Sequence, residues 1–217
     1  DSSTSRGLGD VYKRQVSGME STHPTKVILI KTVVEMMNSK QVTEITSEDV
    51  LKESGISKGS LYHHFEDFND LLEHALVYRF TLSVDRSIEM LTQVLATKNR
   101  EEFLEGIHQV TLNTQSVERL SQRKERVIAL STAALNPRMA MSLGREQERL
   151  TEALADLFRE AKERGWGNPN IEPRTAAVLV QAYTLGKIVD DFTEEHLNHE
   201  DWIKLIDDLV EKVIFPR

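Results

Sequence analysis

The chain contains no cysteine, which excludes disulfides, thiolate metal sites and thiol redox chemistry. A reducing cytoplasm fits that absence. Only five prolines are present, so long helices can run without interruption. No apolar run reaches the roughly 20 residues that a bilayer crossing requires. The densest stretch, Ala176 to Leu185, is broken by Gln181 and Thr184 and reads as a buried helix, so no membrane partner is expected. A continuous apolar segment of the signal-peptide kind is also missing near the N-terminus. Positive charge is short as well. The formal net charge is −8, so nucleic-acid binding would have to rest on a local patch rather than on the whole surface. Walker loops, nucleophile elbows and a defensible pair of catalytic carboxylates are absent, and neither an enzyme nor a cofactor is expected. The segment "HLNHE" holds His196, His199 and Glu200, but it lies in a polar connection without a third committed ligand, so no metal is expected.

What is present is apolar spacing of helical period nearly everywhere, which makes the fold class all-α. The opening "DSSTSRGLGDVYKRQVSG" has no such period. Residues 1–22 are read as an unstructured tail, either foreign to the natural protein, with Met19 the natural start, or a flexible basic arm using Arg6, Lys13 and Arg14. Pro24 then stands at a first helical position, followed by Ile30, Val33, Val34 and Met37 on one face. "TSED" at 46–49 resembles a capping box with Thr46 as N-cap, opening a short helix to Ser54. Gly55 supplies the turn, and Ser57 caps a third helix that runs to Phe65. A long helix is expected over 69–96, with Leu72, Leu76, Phe80 and Val84 inward. Further helices are expected at 101–117, 123–135, 138–164, 173–192 and 200–214. The cut falls near residue 68, giving a three-helix unit over 23–68 and a larger body over 69–217.

Helix, glycine turn, helix is helix-turn-helix geometry. Residues 57–65 on a 100° wheel put Leu61 and Phe65 inward and Gly59, Tyr62 and His63 outward, flanked by Ser60. An exposed helix face has little reason to carry an aromatic, an imidazole and a glycine that costs about 1 kcal/mol relative to Ala, unless something docks there. A bare Cα allows another backbone close approach. Ser57 and Lys58 sit at a helix N-terminus, which favours phosphate. His63 and His64 are adjacent and point about 100° apart, so they cannot easily share a metal.

"TSEDVLKESGISKGSLYHHFEDFNDLL", and within it "GISKGSLYHHF", resembles the DNA-binding domain of the tetracycline-repressor (TetR) family of transcriptional regulators. The resemblance covers about Val27 to Leu72. It implies that Thr46 and Ser47 touch backbone phosphates of double-stranded DNA. It further implies that Ser57, Lys58, Gly59, Ser60, Tyr62 and His63 form the face toward the major groove, with His64 at its flank. Two positions depart from the pattern: Phe68 stands where members usually have a phosphate-clamping lysine, and Leu51 where a small Ala is common. The segment 24–66 holds five Lys against six Asp or Glu, which predicts modest non-specific affinity and a shallow salt dependence.

In the larger body, "ERVIALSTAALNPRMA" and "GWGNPNIEPRTAAVLVQAYTLGKIVDDF" resemble the same family's layout. The helix from Arg174 to Phe192 is apolar around nearly its whole circumference, and the last helix carries a wide apolar stripe. Val180, Tyr183, Gly186, Val189, Trp202, Leu205, Ile206 and Leu209 are therefore expected in a homodimer interface. A family of this kind usually binds a small-molecule effector among the middle helices, for which Phe103, Ile107, Met139, Met141 and Tyr183 are candidates. The reading as a whole is a ligand-responsive repressor with an N-terminal helix-turn-helix domain and a larger ligand-binding and dimerisation domain. The alternative is a helical scaffold or partner-binding protein that has lost DNA binding.

Overall fold

Side-chain caps open most of the helices. The first amides of an α-helix have no partner within it, and an oxygen or ring nitrogen just before the first turn supplies one. His23, Thr46, Ser57, Asn99, Asn136, Glu172 and Asn198 each do this here. The computed structural model describes residues 23–216, and nine α-helices occur among the described residues. They are α1 Pro24–Met36, α2 Ser47–Ser54, α3 Lys58–His64, α4 Phe68–Leu95 and α5 Arg100–Gln115, followed by α6 Leu120–Leu135, α7 Pro137–Glu163, α8 Pro173–Gly186 and α9 His199–Leu209. The expectations for the 1–22 tail lie outside the described residues.

Two units divide the chain, residues 1–81 and 82–217. The division falls inside α4, whereas residue 68, the cut read from the sequence, is where that helix starts. In the first unit one apolar cluster joins Leu29, Ile30 and Val33 of α1 to Val50 of α2, Leu61 of α3, Phe65 and the start of α4. On α4 the inward stripe begins at Leu71 and Ala75, not at Leu72 and Leu76, which are half-buried; Phe80 and Val84 are buried as the spacing predicts. The Leu71-Leu72 doublet fits two helical registers, and only packing chooses between them. Phe68 and Leu51 both pack against this same cluster.

The second unit is built around α7. Its residues Met139, Leu143, Glu146, Leu150, Leu154, Leu157 and Ala161 recur every three or four positions and are buried, with α6 and α8 packed along it. α8 is shorter than the periodicity predicts. It ends at Gly186, and Lys187–Phe192 tightens into a 3₁₀ segment. Within that segment Lys187 is buried beside Asp190 and Asp191 at 3.6 and 3.4 Å. The last helix likewise ends at Leu209, with the wider π turn Val210–Ile214 after it.

Candidate nucleic-acid interface and effector cavity

Thr46 sits in extended backbone, and its hydroxyl accepts from the Asp49 amide at 3.2 Å, which fixes the start of α2. Gly55 ends that helix at φ +68° and donates its amide to the Leu51 carbonyl at 3.1 Å. A left-handed residue there would strain any side chain, and it is what turns the chain within three residues. Ser57 then accepts from the Ser60 amide at 3.2 Å and starts α3.

The inward face of α3 is locked in place. Leu61 is fully buried and Phe65, its C-cap, is 2% exposed. The Lys26 ammonium lies 5.0 Å over the Phe65 ring, and the His74 ring meets its edge at 5.5 Å. The opposite face is open: Lys58, Gly59, Tyr62 and His63 are exposed, with Tyr62 at 45%. Ser60 and Ser47 are half-buried, and Thr46 and Ser57 are exposed although their oxygens are engaged in capping. Lys58 has no ion-pair partner among the described residues, whereas Lys40 is held by Asp49 at 3.0 Å. That bond keeps the Asp49 carboxyl below the usual carboxylate range. His64 lies at the flank, its ring 4.5 Å from His23 and 5.1 Å from His63. Partial desolvation, then the neighbouring His23, His63 and Lys26, lower its pKa.

In the second unit a cavity of about 450 Å³ lies among α4, α5, α6, α7, α8 and the last turn. Of the five residues expected to line it, Ile107 and Tyr183 do so. Burial, then Asp207, pushes the Tyr183 hydroxyl up to about 12. The other three do not. Phe103 packs in the core against Phe215 at 5.1 Å and Trp166 at 5.5 Å, Met139 is buried elsewhere on α7, and Met141 points outward at 61% exposure. Sequence reasoning missed the polar lining, including Arg119, Arg123, Arg126, Gln181 and Thr184. The three arginines recur at intervals of four and three and so share one helix face, but charged residues at that spacing mark a solvated face as readily as a buried one.

Arg123 is 4% exposed and donates to both oxygens of Asp191 at 2.7 and 2.9 Å, and to the Ser116 carbonyl at 3.0 Å. Arg126 donates to the amide oxygens of Gln147 at 2.9 Å and Gln181 at 3.2 Å.

The residues expected at an interface between copies divide three ways. Gly186, Val189 and Leu205 are exposed, and with them Val178, Leu179 and Phe192. Val180 and Tyr183 line the cavity. Trp202 is half-buried and donates its indole N–H to Gln115 at 2.9 Å, and Leu209 is half-buried. Ile206 is buried within its own chain, because Ile203, Ile206 and Val210 form the inner stripe of the last helix; it is removed from the interface set.

No protein-family model matches the chain. It is 25% identical over 177 residues to the HTH-type transcriptional regulator UidR of Escherichia coli K12, covering 79% of this chain and 84% of that one. Among solved structures it resembles GusR of Salmonella enterica with a TM-score of 0.65 at 19% identity, over 88% of this chain and 95% of that one. A TetR-family transcriptional regulator of Cytophaga hutchinsonii gives 0.63 at 15% identity, over 89% and 96%. A protein of Saccharomonospora viridis, solved in complex with choline, gives 0.66 at 18%, over 88% and 98%.

Proposed function

We propose that this chain, whose fold is that of the tetracycline-repressor (TetR) family, is a DNA-binding transcriptional regulator: a cytoplasmic homodimeric repressor released from its operator by a small molecule. One observation carries the reading. The inward face of α3 is clamped by Leu61 and Phe65, while Lys58, Gly59, Tyr62 and His63 of the outward face are open to solvent. Lys58 and Ser57 meet phosphates, as do Thr46 and Ser47 at the start of α2. Tyr62 and His63 reach base edges or phosphates, Ser60 supports them, and Gly59 admits the sugar-phosphate backbone. His64 stays at the flank. Phe68 belongs to the apolar cluster, so the phosphate grip rests on fewer cations and the salt dependence is shallow.

A second copy would dock on the exposed apolar residues of α8, the 3₁₀ segment and α9. Two recognition helices about 34 Å apart would then read a pseudo-palindrome. An effector in the cavity shifts the population toward dimers whose recognition helices no longer match adjacent grooves.

Fluorescence anisotropy against DNA flanking the protein's own gene, with scrambled DNA as control and at two salt concentrations, tests the reading. Preference for the flanking DNA, abolished by Tyr62→Ala in a folded protein, is the expected result. Equal weak binding to both DNAs would instead support the partner-binding scaffold.

A further inference from the structure

Two hydroxyls in the cavity of the second unit are not used by the fold. Helical threonines and serines commonly return their hydroxyl proton to the carbonyl four residues earlier. Thr81, Ser87, Thr92 and Thr114 do so here, at 2.8 to 3.0 Å. Thr111 does not. It is 4% exposed and lines the cavity, and its hydroxyl has no hydrogen-bond partner among the described residues. The Tyr183 hydroxyl, on the same cavity, also has none among them. The sealed side-chain polar atom without a partner among the described residues is Arg149 Nε, so both hydroxyls are reachable from the cavity. Burial, then Asp207, raises the phenol to about 12, and it keeps a proton to donate at neutral pH.

Bonds on either side of Thr111 bring the two hydroxyls to one wall. Gln115, one turn on, donates to the Thr184 hydroxyl at 3.3 Å. His108, nearly one turn back, holds Asp207 at 3.0 Å. This stretch of α5 therefore faces both the neighbour of Tyr183 on α8 and the carboxylate that acts on its phenol.

The charged lining is already engaged. Arg123 gives its fork to Asp191 at 2.7 and 2.9 Å, and Arg126 has Gln147 and Gln181 among its partners at 2.9 and 3.2 Å. Arg119 donates to Asn113 at 2.7 Å and is half-buried, while Arg86 and Glu89 are exposed. An anionic head would compete with Asp191 for Arg123 and strand a buried charge. A cationic head would find Glu89, the carboxylate of the lining, out in solvent. Much of the remaining wall is apolar: Ile107, Leu154, Leu157 and Ile214, with Phe158 stacked on Phe215 at 5.7 Å. Apolar burial there drives binding, and a few polar groups fix orientation.

We infer that the cavity takes an uncharged, largely apolar ligand with a carbonyl or hydroxyl oxygen, which the Thr111 and Tyr183 hydroxyls hold. The inference deepens the regulator reading by naming the chemical class of the effector, and it rests on that reading for its biological meaning.

Three probes of one chain length, 2-decanone, decanoate and decylamine, test it by calorimetry and thermal shift on the full-length protein. The ketone binds saturably in the submillimolar range, and both charged probes bind about tenfold more weakly or not at all, since each would bury an unpaired charge. Thr111→Val and Tyr183→Phe remove one hydroxyl each with little change of shape, and each weakens 2-decanone about fivefold, the loss of one neutral hydrogen bond. Without ligand, Thr111→Val melts no lower than the parent, because the hydroxyl it loses has no internal partner. A lower melting temperature would show that the hydroxyl is satisfied internally and would overturn its role. Decanoate or decylamine matching the ketone overturns the inference, as does a ketone that does not saturate, or both variants binding it like the parent. DNA binding without ligand is measured separately. Selective ketone binding by a chain that ignores DNA keeps the ligand class and sinks the regulator; DNA binding without that selectivity does the reverse.

Discussion

The two units use their interiors in opposite ways. In the first, the interior is a single apolar cluster, and the chemistry sits outside on α3. In the second, the middle of the body gives up packing for a cavity and for buried charge: Arg123, Asp191 and Lys187 are each less than a tenth exposed, and Gln115 is fully buried. An apolar core makes a rigid platform, which suits a face that presents Lys58, Tyr62 and His63 in fixed register. A polar, partly hollow core holds less packing energy and can settle around a guest. The difference teaches where to look for each unit's function, outside one and inside the other.

Removing packing from the platform gives the largest expected effect. Phe65→Ala destabilises by about 3–5 kcal/mol, the usual loss for a buried phenyl ring. Both tryptophans, Trp166 and Trp202, lie in the second unit, so circular dichroism should show an early loss of helix in urea that tryptophan fluorescence does not follow. Coincident transitions by the two probes would show that the units unfold as one and blunt the contrast.

Next comes the buried ion pair. Arg123→Met leaves Asp191 with Lys187 alone and costs about 3 kcal/mol, since breaking a buried pair strands a charge. Its hydrogen bonds with Arg123 hold the Asp191 carboxyl below its usual value. A depressed folded pKa contributes stability above the unfolded carboxylate value of about 3.9 and loses it as pH falls through the folded one. The gap in urea stability between the parent and Arg123→Met should therefore narrow in acid. A gap of constant size would deny that the pair acts through charge.

Legibility in the sequence follows the same division. The helices of the first unit could be read because their signals are local: Thr46 and Ser57 as caps, Gly55 as turn, and Leu61 and Phe65 four apart. So could the open face of Gly59, Tyr62 and His63. The cavity could not be read this way, because which wall of α5, α7 or α8 faces inward depends on neighbours distant in sequence. Phe103 and Met139 have the same apolar pattern whether they line a hollow or fill a core. Arg119, Arg123 and Arg126 look like surface charges until α6 is seen against α7 and α8. The end of α8 was hidden for a related reason: that Lys187 is buried beside Asp190 and Asp191 depends on the tertiary fold and not on the apolar period.

The smallest effects come from two glycines and sharpen the comparison most directly. A Cβ added to either Gly55 or Gly59 meets nothing within 4 Å, so packing contributes nothing and only backbone preference remains. Gly55 has φ +68°, and Gly55→Ala should cost about 1–2 kcal/mol, the penalty of a left-handed L-residue. Gly59 lies inside α3 with ordinary helical geometry, and Gly59→Ala should stabilise the free protein by about 0.5–1 kcal/mol. If that bare Cα admits a DNA backbone, the same substitution weakens DNA binding while the protein becomes harder to unfold. Stability and affinity then move in opposite directions, a result that a purely structural glycine cannot produce. Stabilisation with unchanged DNA affinity would mean the DNA does not approach α3 at Gly59, and the docking face would have to be redrawn around Lys58 and Tyr62.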